Sequence, residues 1–495
     1  MSKARKTPWK NYLVVALVFA AIGFMLKDSD SGRALEDMAD SATTAALSEI
    51  ASGVDADART RVLIEHPSVL AAVAKGGGFG GKFSRHAALN MFGRVPEAIE
   101  DLKDKTTVEA YGQGTWLIRM PIVNAVLFET AAGLVLVDTG MAPAGPAIVA
   151  AIKSVSDKPL HTIIYTHGHV DHAYGTWALL EAGWRPEIIA HKNLAARVNR
   201  YIRLRGSIAQ YMSQKEEQMP RGEADFVWPT QTFVDRLELD IGGERFVLQH
   251  HRGETDDQLY VWAADRKVLA SADYYQGFLP NAGNGKRAQR HLEEWAVAMR
   301  EMAALNPEVV LPAHGAAITD SASIQKEFTL LADALQYVVD KTIEGLNKGL
   351  RKDEIFGSMK LPPEFAKENS LREHYVSIKD LSKMVLKQYT GWWDDIPSHW
   401  SPATQAQQGA LVIELAGGIE AFVAAAYTIM DKNIQLACHM ADWAWFSNPT
   451  DARVQQLVID AYKRRAVSDD TYTQEKLAYI DAMARARDMQ LKMAK

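Results

Sequence analysis

The 495-residue chain has a single cysteine, Cys438. That excludes an intrachain disulfide framework and any zinc site built on thiolates. Cys438 lies in an apolar helical stretch, as an inert core thiol would. A basic excess is also missing. Lys and Arg number 55 against 61 Asp and Glu, a formal net charge of −6, which speaks against nucleic acid as a partner. Hydrophobic residues make up 47% and charged residues 23%, so nothing in the composition departs from a folded globular chain. The length exceeds what one hydrophobic core organises and predicts two or three domains.

The first 27 residues differ from the rest. Lys3, Arg5, Lys6 and Lys10 precede an apolar run from Tyr12 to Leu26, and no A-x-A cleavage site follows closely. As a helix, Trp9 to Leu26 spans roughly 27 Å, enough to cross a bilayer. With the basic residues in front, the positive-inside rule leaves the N-terminus in the cytoplasm. The expectation is a signal anchor over 1–27, single-pass in the inner membrane with the catalytic body facing the periplasm. Cleavage would instead release the body into the periplasm. Residues 28–104 read as a linker and helical segment. Within them Gly76–Lys82 imitates a phosphate loop, but Phe83 stands where Ser or Thr is needed and no strand precedes it, so a flexible loop is expected.

From Thr107 the pattern is strand-like. Val108–Tyr111, Thr115–Arg119, Ala125–Glu129, Leu134–Val137, Thr162–Tyr165, Glu187–His191, Thr232–Leu239, Arg245–His250, Leu259–Ala263, Val268–Ala272 and Val309–Pro312 alternate or run apolar between turn residues. Helices are expected over Pro143–Ser154, Ala173–Ala182 and the arginine-rich Lys192–Met219. Strands on both sides of intervening helices predict a two-sheet α/β sandwich. Beyond about Gln325 strand signals cease. Gly418–Lys432, Asn433–Ser447 and Asp451–Arg465 read as amphipathic hairpins similar to tetratricopeptide repeats.

The chemistry concentrates in T-H-G-H-V-D-H-A-Y-G, Thr166 to Gly175, which places His167, His169, Asp171 and His172 directly after a buried strand. Where a strand ends, the loop turns alternate side chains to one side. His167 and His169 can then hold one metal and Asp171 and His172 a second. Four residues do not close two sites, so more ligands must come from other strand ends. Glu254, Asp273 and His314 are the candidates.

H-x-H-x-D-H after a strand, Asp138-Thr-Gly140 before it and Pro312-Ala-His314-Gly at the end resemble the metallo-β-lactamase superfamily. Gly253-Glu254-Thr255, where most members carry Gly-His-Thr, is similar to the alkylsulfatase branch, as is the nineteen-residue separation of Glu254 and Asp273. Tyr375-Val-Ser377, Tyr389 to Pro397 (Y-T-G-W-W-D-D-I-P) and Ala416-Gly-Gly418 resemble that branch's dimerisation region. The likeness covers roughly residues 105–465. It implies a catalytic αβ/βα sandwich over 105–325, a helical dimerisation domain over 326–480, a tail over 481–495 and a homodimer. No lipid-carrier-like C-terminal domain of the kind many such sulfatases carry is expected.

The resemblance also implies roles. His167, His169 and Glu254 would bind one divalent metal, and Asp171, His172 and His314 the other. Asp273 would bridge the two, and Asp138 would orient the histidines from behind. Zn²⁺ is the first choice, with Fe or Mn as alternatives. A bridging water made acidic by both metals would attack the ester, with Asp171 and Asp273 central to catalysis. Asn281, Lys286 and Arg287 would hold the substrate. Tyr274 and His291 are candidates to protonate the leaving group. Trp392, Trp393 and Trp400 could line a path for an alkyl chain or simply pack helices.

Three positions depart from the branch: Asp273 for a glutamate, Lys286 for an arginine, and Asp380 for a histidine in the helical part. The resemblance as a whole implies hydrolysis of alkyl sulfate esters, and these departures bear on the sulfate rather than on the hydrolase. Hydrolysis of a lactone or phosphate ester, or a non-catalytic metal-binding scaffold, stands as the alternative.

Overall fold

A computed structural model of the chain describes residues 103–493, apart from 122 and 212–219. The expected signal anchor, linker and glycine-rich loop lie outside the described residues. Those described divide into two compact units, 103–392 and 393–493.

The first unit is built on two sheets. One has seven strands in sequence order: β1 (Thr107–Ala110), β2 (Thr115–Arg119), β3 (Asn124–Glu129), β4 (Leu134–Val137), β5 (Leu160–Ile164), β6 (Glu187–His191) and β7 (Gln231–Phe233). β1 to β4 pair antiparallel and β4 to β7 parallel. The other sheet runs β12 (Val309–Pro312), β11 (Val268–Ala272), β10 (Leu259–Ala263), β9 (Glu244–His250), β8 (Arg236–Ile241), with only β11 and β12 parallel.

The period-2 alternation of the strands sorts their side chains between two cores. Val126, Phe128, Val135, Val137 and Ile164 face inward against Phe246, Leu248, Val261, Ala270 and Leu311 of the opposing sheet. Their alternates Ala125, Leu127, Leu134, Leu136 and Ile163 face outward and are covered by α1 (Gly145–Val155), α2 (Thr176–Glu181) and α3 (Leu194–Arg203). The outer face of the second sheet is covered by α5 (Leu292–Ala304), α6 (Ser321–Asn347) and α9 (Ile378–Tyr389), around the fully buried Trp295 and Phe328. The intervening helices are α4 (Arg205–Tyr211), α7 (Lys352–Ser358) and α8 (Pro363–Ala366). Burying each such large apolar side chain stabilises the fold by about 1.5–3 kcal/mol. The layers are helix, sheet, sheet, helix, the αβ/βα sandwich.

One detail differs from the expectation. Thr232–Leu239 is not one strand. The chain leaves the first sheet at Phe233 and enters the second at Arg236, because a run of β-formers does not encode which sheet it joins. The helices that begin at Ser321 also pack on the second sheet, so the compact body continues to Trp392.

The second unit contains α10 (Gln405–Leu415), α11 (Ile419–Met430), α12 (Ile434–Ser447), α13 (Ala452–Ala466) and α14 (Thr473–Met493), packed around Phe422, Ala441, Leu457 and Met483. Asn433 and Asp451 cap α12 and α13 with their side chains, which sets the hairpin register. Trp393 and Trp400 meet edge to face at 5.5 Å, and Trp393 Nε1 donates to the Ile396 carbonyl (3.0 Å), closing a local turn. Among the described residues no single helix is long and apolar enough to cross a membrane. α10 and α11 pass that test only together, and they are bent by 94°.

One glycine couples the His loop to the sheet. Gly175 donates its N–H to the Gly140 carbonyl at 3.0 Å, and a Cβ there would run into the Thr139 carbonyl. Gly175→Ala is expected to push the His loop off the end of β4, costing on the order of 1–3 kcal/mol. A thermal melt with metal titration checks this; unchanged stability and metal affinity would refute the coupling.

Candidate metal centre

The site grows out of strand ends. β4 ends at Val137, and Asp138 follows in the left-handed region (φ 63°). That conformation turns its carboxylate beneath the next loop. Asp138 Oδ1 accepts the Thr166 N–H at 2.7 Å. Its Oδ2 accepts the Thr166 hydroxyl and faces His172 Nδ1, both at 2.7 Å. The loop after β5 is tied down further where Thr139 N–H and Oγ1 donate to the His172 carbonyl (2.6 and 3.1 Å) and Gly168 N–H to Asp257 Oδ2 (2.7 Å). The backbone and Asp138 thus set the histidines before any ligand is considered.

Two groups of ligand atoms result, each with its atoms within 4.8 Å of one another: His167, His169 and Asp273; and Asp171, His172 and His314. Asp273 follows β11, whose last residue Ala272 is also left-handed (φ 49°). Its Oδ1 lies 3.4 Å from Nε2 of both His172 and His314, and its Oδ2 3.8 Å from His167 Nε2. His314 follows β12, in a loop held by Asn124 Nδ2 bonding to the carbonyls of Pro312 (2.9 Å) and Gly315 (3.0 Å). Glu254 stands at the edge, its Oε1 3.8 Å from His169 Nδ1.

The electrostatics favour a cation between these groups. Burial holds His167 and His169 well below the usual imidazole range, so both are neutral and able to ligate. For His172 burial acts downward, but Asp273, Asp171 and Asp138 outweigh it and raise the group to about 10. His314 is raised to about 9 by Asp273 and Asp171 against the same burial. In the neutral tautomer, with Nδ1–H donated to Asp138, His172 Nε2 is a buried lone pair facing carboxylate oxygens at 3.4 and 3.6 Å. Bare, that arrangement is tolerated only by taking up a proton. A divalent ion there would take the proton's place, satisfying the lone pair and the carboxylates together. The residues therefore fit metal.

Glu254 and Asn281 are organised by a residue the sequence did not single out. Arg290 is 1% exposed, and its Nη1 donates to Glu254 Oε1 at 2.5 Å and also to the Asn281 carbonyl. Asn281 Nδ2 donates to the same Glu254 oxygen at 2.9 Å. Burial and Asp273 raise Glu254 to about 7 despite Arg290. Asn281 Nδ2 is thus tied to Glu254, while its Oδ1 is buried with no hydrogen-bond partner among the described residues. Lys286 and Arg287 lie half-buried in the loop between Asn284 and Arg290.

Other candidates are placed differently. The Tyr274 hydroxyl donates to the carbonyls of His251 and Gln258, and burial pushes it well above its usual range, so it holds the loop after β9. The His291 backbone N–H bonds to the Gly253 carbonyl at 3.2 Å at the start of α5. Asp380 accepts the Ser377 N–H at 3.1 Å in a capping box and pairs with Lys383 at 3.0 Å, so its charge is spent on α9. Asp257 and Arg197 were also missed as partners of the loop. Arg197 belongs to the arginine-rich stretch already noted, but nothing local distinguishes it from its neighbours.

Comparison with known proteins finds two family models along the chain. Residues 119–314 match the metallo-beta-lactamase superfamily, and residues 351–488 match the alkyl sulfatase dimerisation family. A linear primary-alkylsulfatase of Pseudomonas sp. (strain ATCC 19151) is 28% identical over 345 residues, 64% of each chain. An alkyl/aryl-sulfatase of Saccharomyces cerevisiae is 22% identical over 395 residues, 74% of this chain and 61% of the relative. The chain therefore spans somewhat under two thirds of the length of these curated relatives. The solved structure of the stereoselective inverting sec-alkylsulfatase Pisa1 from Pseudomonas sp. superposes with a TM-score of 0.69 at 18% identity, covering 90% of this chain and 77% of that one, which establishes the shared fold. The chain thus joins a metallo-beta-lactamase domain to an alkyl sulfatase dimerisation domain and stands close to the alkylsulfatases in sequence and structure.

Proposed function

We propose that this protein is a hydrolase of alkyl sulfate esters working with two divalent metal ions. The observation that carries the reading is Asp273, set with one oxygen toward each of two facing ligand groups. The names of the relatives support the sulfate ester. His167, His169 and Glu254 would hold the first ion, Asp171, His172 and His314 the second, and Asp273 both. The imidazole-rich, carboxylate-containing set suits Zn²⁺ first, with Fe or Mn possible on the same donors. Bound there, the ions supply Lewis acidity and a water acidic enough to ionise near neutral pH.

The chain's own groups do the rest. Asp138 keeps His172 with its Nε2 turned to the ligand and its Nδ1 proton retained. Arg290 and Asn281 hold one oxygen of Glu254, which leaves only its second for an ion. Lys286, on the loop that contains no carboxylate, meets the negative charge of the ester. Asp380 faces α9 rather than the substrate, so the charge that would oppose a sulfate is already paired. The alkyl sulfatase dimerisation domain supports a homodimer.

Sulfate release from alkyl sulfates by the metal-reconstituted protein, beside lactones and aryl phosphates, tests this. Turnover of the sulfate ester that disappears on chelation and returns with metal is expected. Turnover of only lactones or phosphates would move the protein to another ester, and none on any class would leave the scaffold reading.

A further inference from the structure

Five basic side chains from three elements converge beside the metal centre, and only two of them are neutralised. Arg197 on α3 packs against Gly168 of the His loop, where a Cβ would lie 2.8 Å from Arg197 Cγ. Its guanidinium is met by Asp256 at 2.6 Å and Asp257 at 3.8 Å. Arg290 is met by Glu254. Arg200, Arg287 and Lys387 remain, and among the described residues no carboxylate lies within ion-pair distance of any of them.

These three are held together by packing. Arg200 follows Arg197 by three residues, on the same face of α3. The loop bearing Arg287 is clamped to α9. Gly283 lies so close to the Asp380–Leu381 backbone that a Cβ would come within 2.6 Å of it, and Gln289 Nε2 donates to the Met384 carbonyl at 3.0 Å. Lys387 on α9 donates its Nζ to the Arg287 carbonyl at 3.1 Å, which fixes its head above that loop. Like charges in one place repel. Lys387 is held below its usual range by partial burial and then by Arg200 and Arg290. Arg200 is lowered by partial burial, then by Arg197 and Arg287. Tyr201 and Tyr375 link this wall to the metal centre, since each senses both Arg287 and Asp171.

We propose that Arg200, Arg287 and Lys387 form a subsite for a second anionic group on the substrate, a carboxylate or second sulfate on the organic part of the ester. A single sulfate ester brings one negative charge, which the metal side and Lys286 already meet. Three cations with no carboxylate in ion-pair distance accept one more; Asp256, which acts on Arg200 from further off, is already paired with Arg197. The proposal rests on the sulfate-ester reading for the first group, while the second depends only on the wall. With a chain charge of −6 and a wall of only three side chains, a small ligand fits better than a polyanion.

Calorimetry on the metal-reconstituted full chain at fixed ionic strength tests it. The ligands are alkane monosulfonates and α,ω-disulfonates from propane to octane, which do not turn over. At one chain length or more the disulfonate is expected to bind about tenfold tighter than its monosulfonate, the sum of a few screened ion pairs. In the doubly substituted Arg200→Gln, Lys387→Gln protein that preference should fall to about twofold or less, with monosulfonate affinity retained. Equal affinities across the series in the unmodified protein, or a preference that survives the double substitution, would overturn the subsite. A disulfonate preference without sulfate-ester turnover would sink the sulfatase reading and keep the subsite. Turnover without the preference would do the reverse.

Discussion

Asp273→Asn is expected to reduce bound metal from about two equivalents to one or fewer and to lower hydrolysis by about 10³-fold or more. The substitution keeps the shape of the side chain and removes its charge. Among the described residues Asp273 is the one carboxylate within 3.8 Å of histidines from both groups, so none of these neighbours can replace it. Its acidity reflects the same position. Burial acts to raise it, yet His314, His172 and His167 hold it well below the usual carboxylate range. The measurement is elemental analysis after reconstitution, beside turnover and a circular-dichroism spectrum that reports folding. A folded variant with full metal content and full activity would remove Asp273 from the centre. Asp138→Ala should act through the His172 tautomer and cost less, about 10–100-fold in metal affinity.

The second large effect concerns stability. Arg290→Met is expected to destabilise the first unit by about 3–5 kcal/mol, because it leaves the carboxylate of Glu254 buried without its cation. For a unit of this size that is a fall of about 10 °C in unfolding midpoint. The paired change Glu254→Gln should recover much of the loss while leaving metal binding impaired. The two changes would then be strongly non-additive in stability. Additive effects, or an Arg290→Met protein that melts with the original one, would show that the 2.5 Å contact contributes little.

Both predictions rest on groups of different legibility. His167, His169, Asp171 and His172 fall within six residues, and one strand end presents them together, so their chemistry is visible locally. Glu254, Asp273 and His314 are legible only once that cluster calls for partners. Nothing in the sequence around Arg290 separates it from Lys286 and Arg287. Its role appears when a fully buried guanidinium is found against Glu254, thirty-six residues away. Asp257 is the same case: an ordinary loop acid in sequence, yet the acceptor for Gly168 eighty-nine residues earlier. Asp380 shows the converse. It could have faced the substrate, and its carboxylate is drawn into the fold by Ser377 and Lys383.

The sequence alone determined the alternation that builds both sheets, the helical character after residue 325 and the loop that gathers three histidines and an aspartate, because each depends on residues a few positions apart. Tertiary structure decided which sheet each strand enters, which helices cover the second sheet, and how Asp273 stands between two ligand groups. It also decided which cations beside the centre keep their charge unmatched. Those outcomes depend on distances between residues far apart in the chain, and they are settled by burial and charge pairing when the layers close.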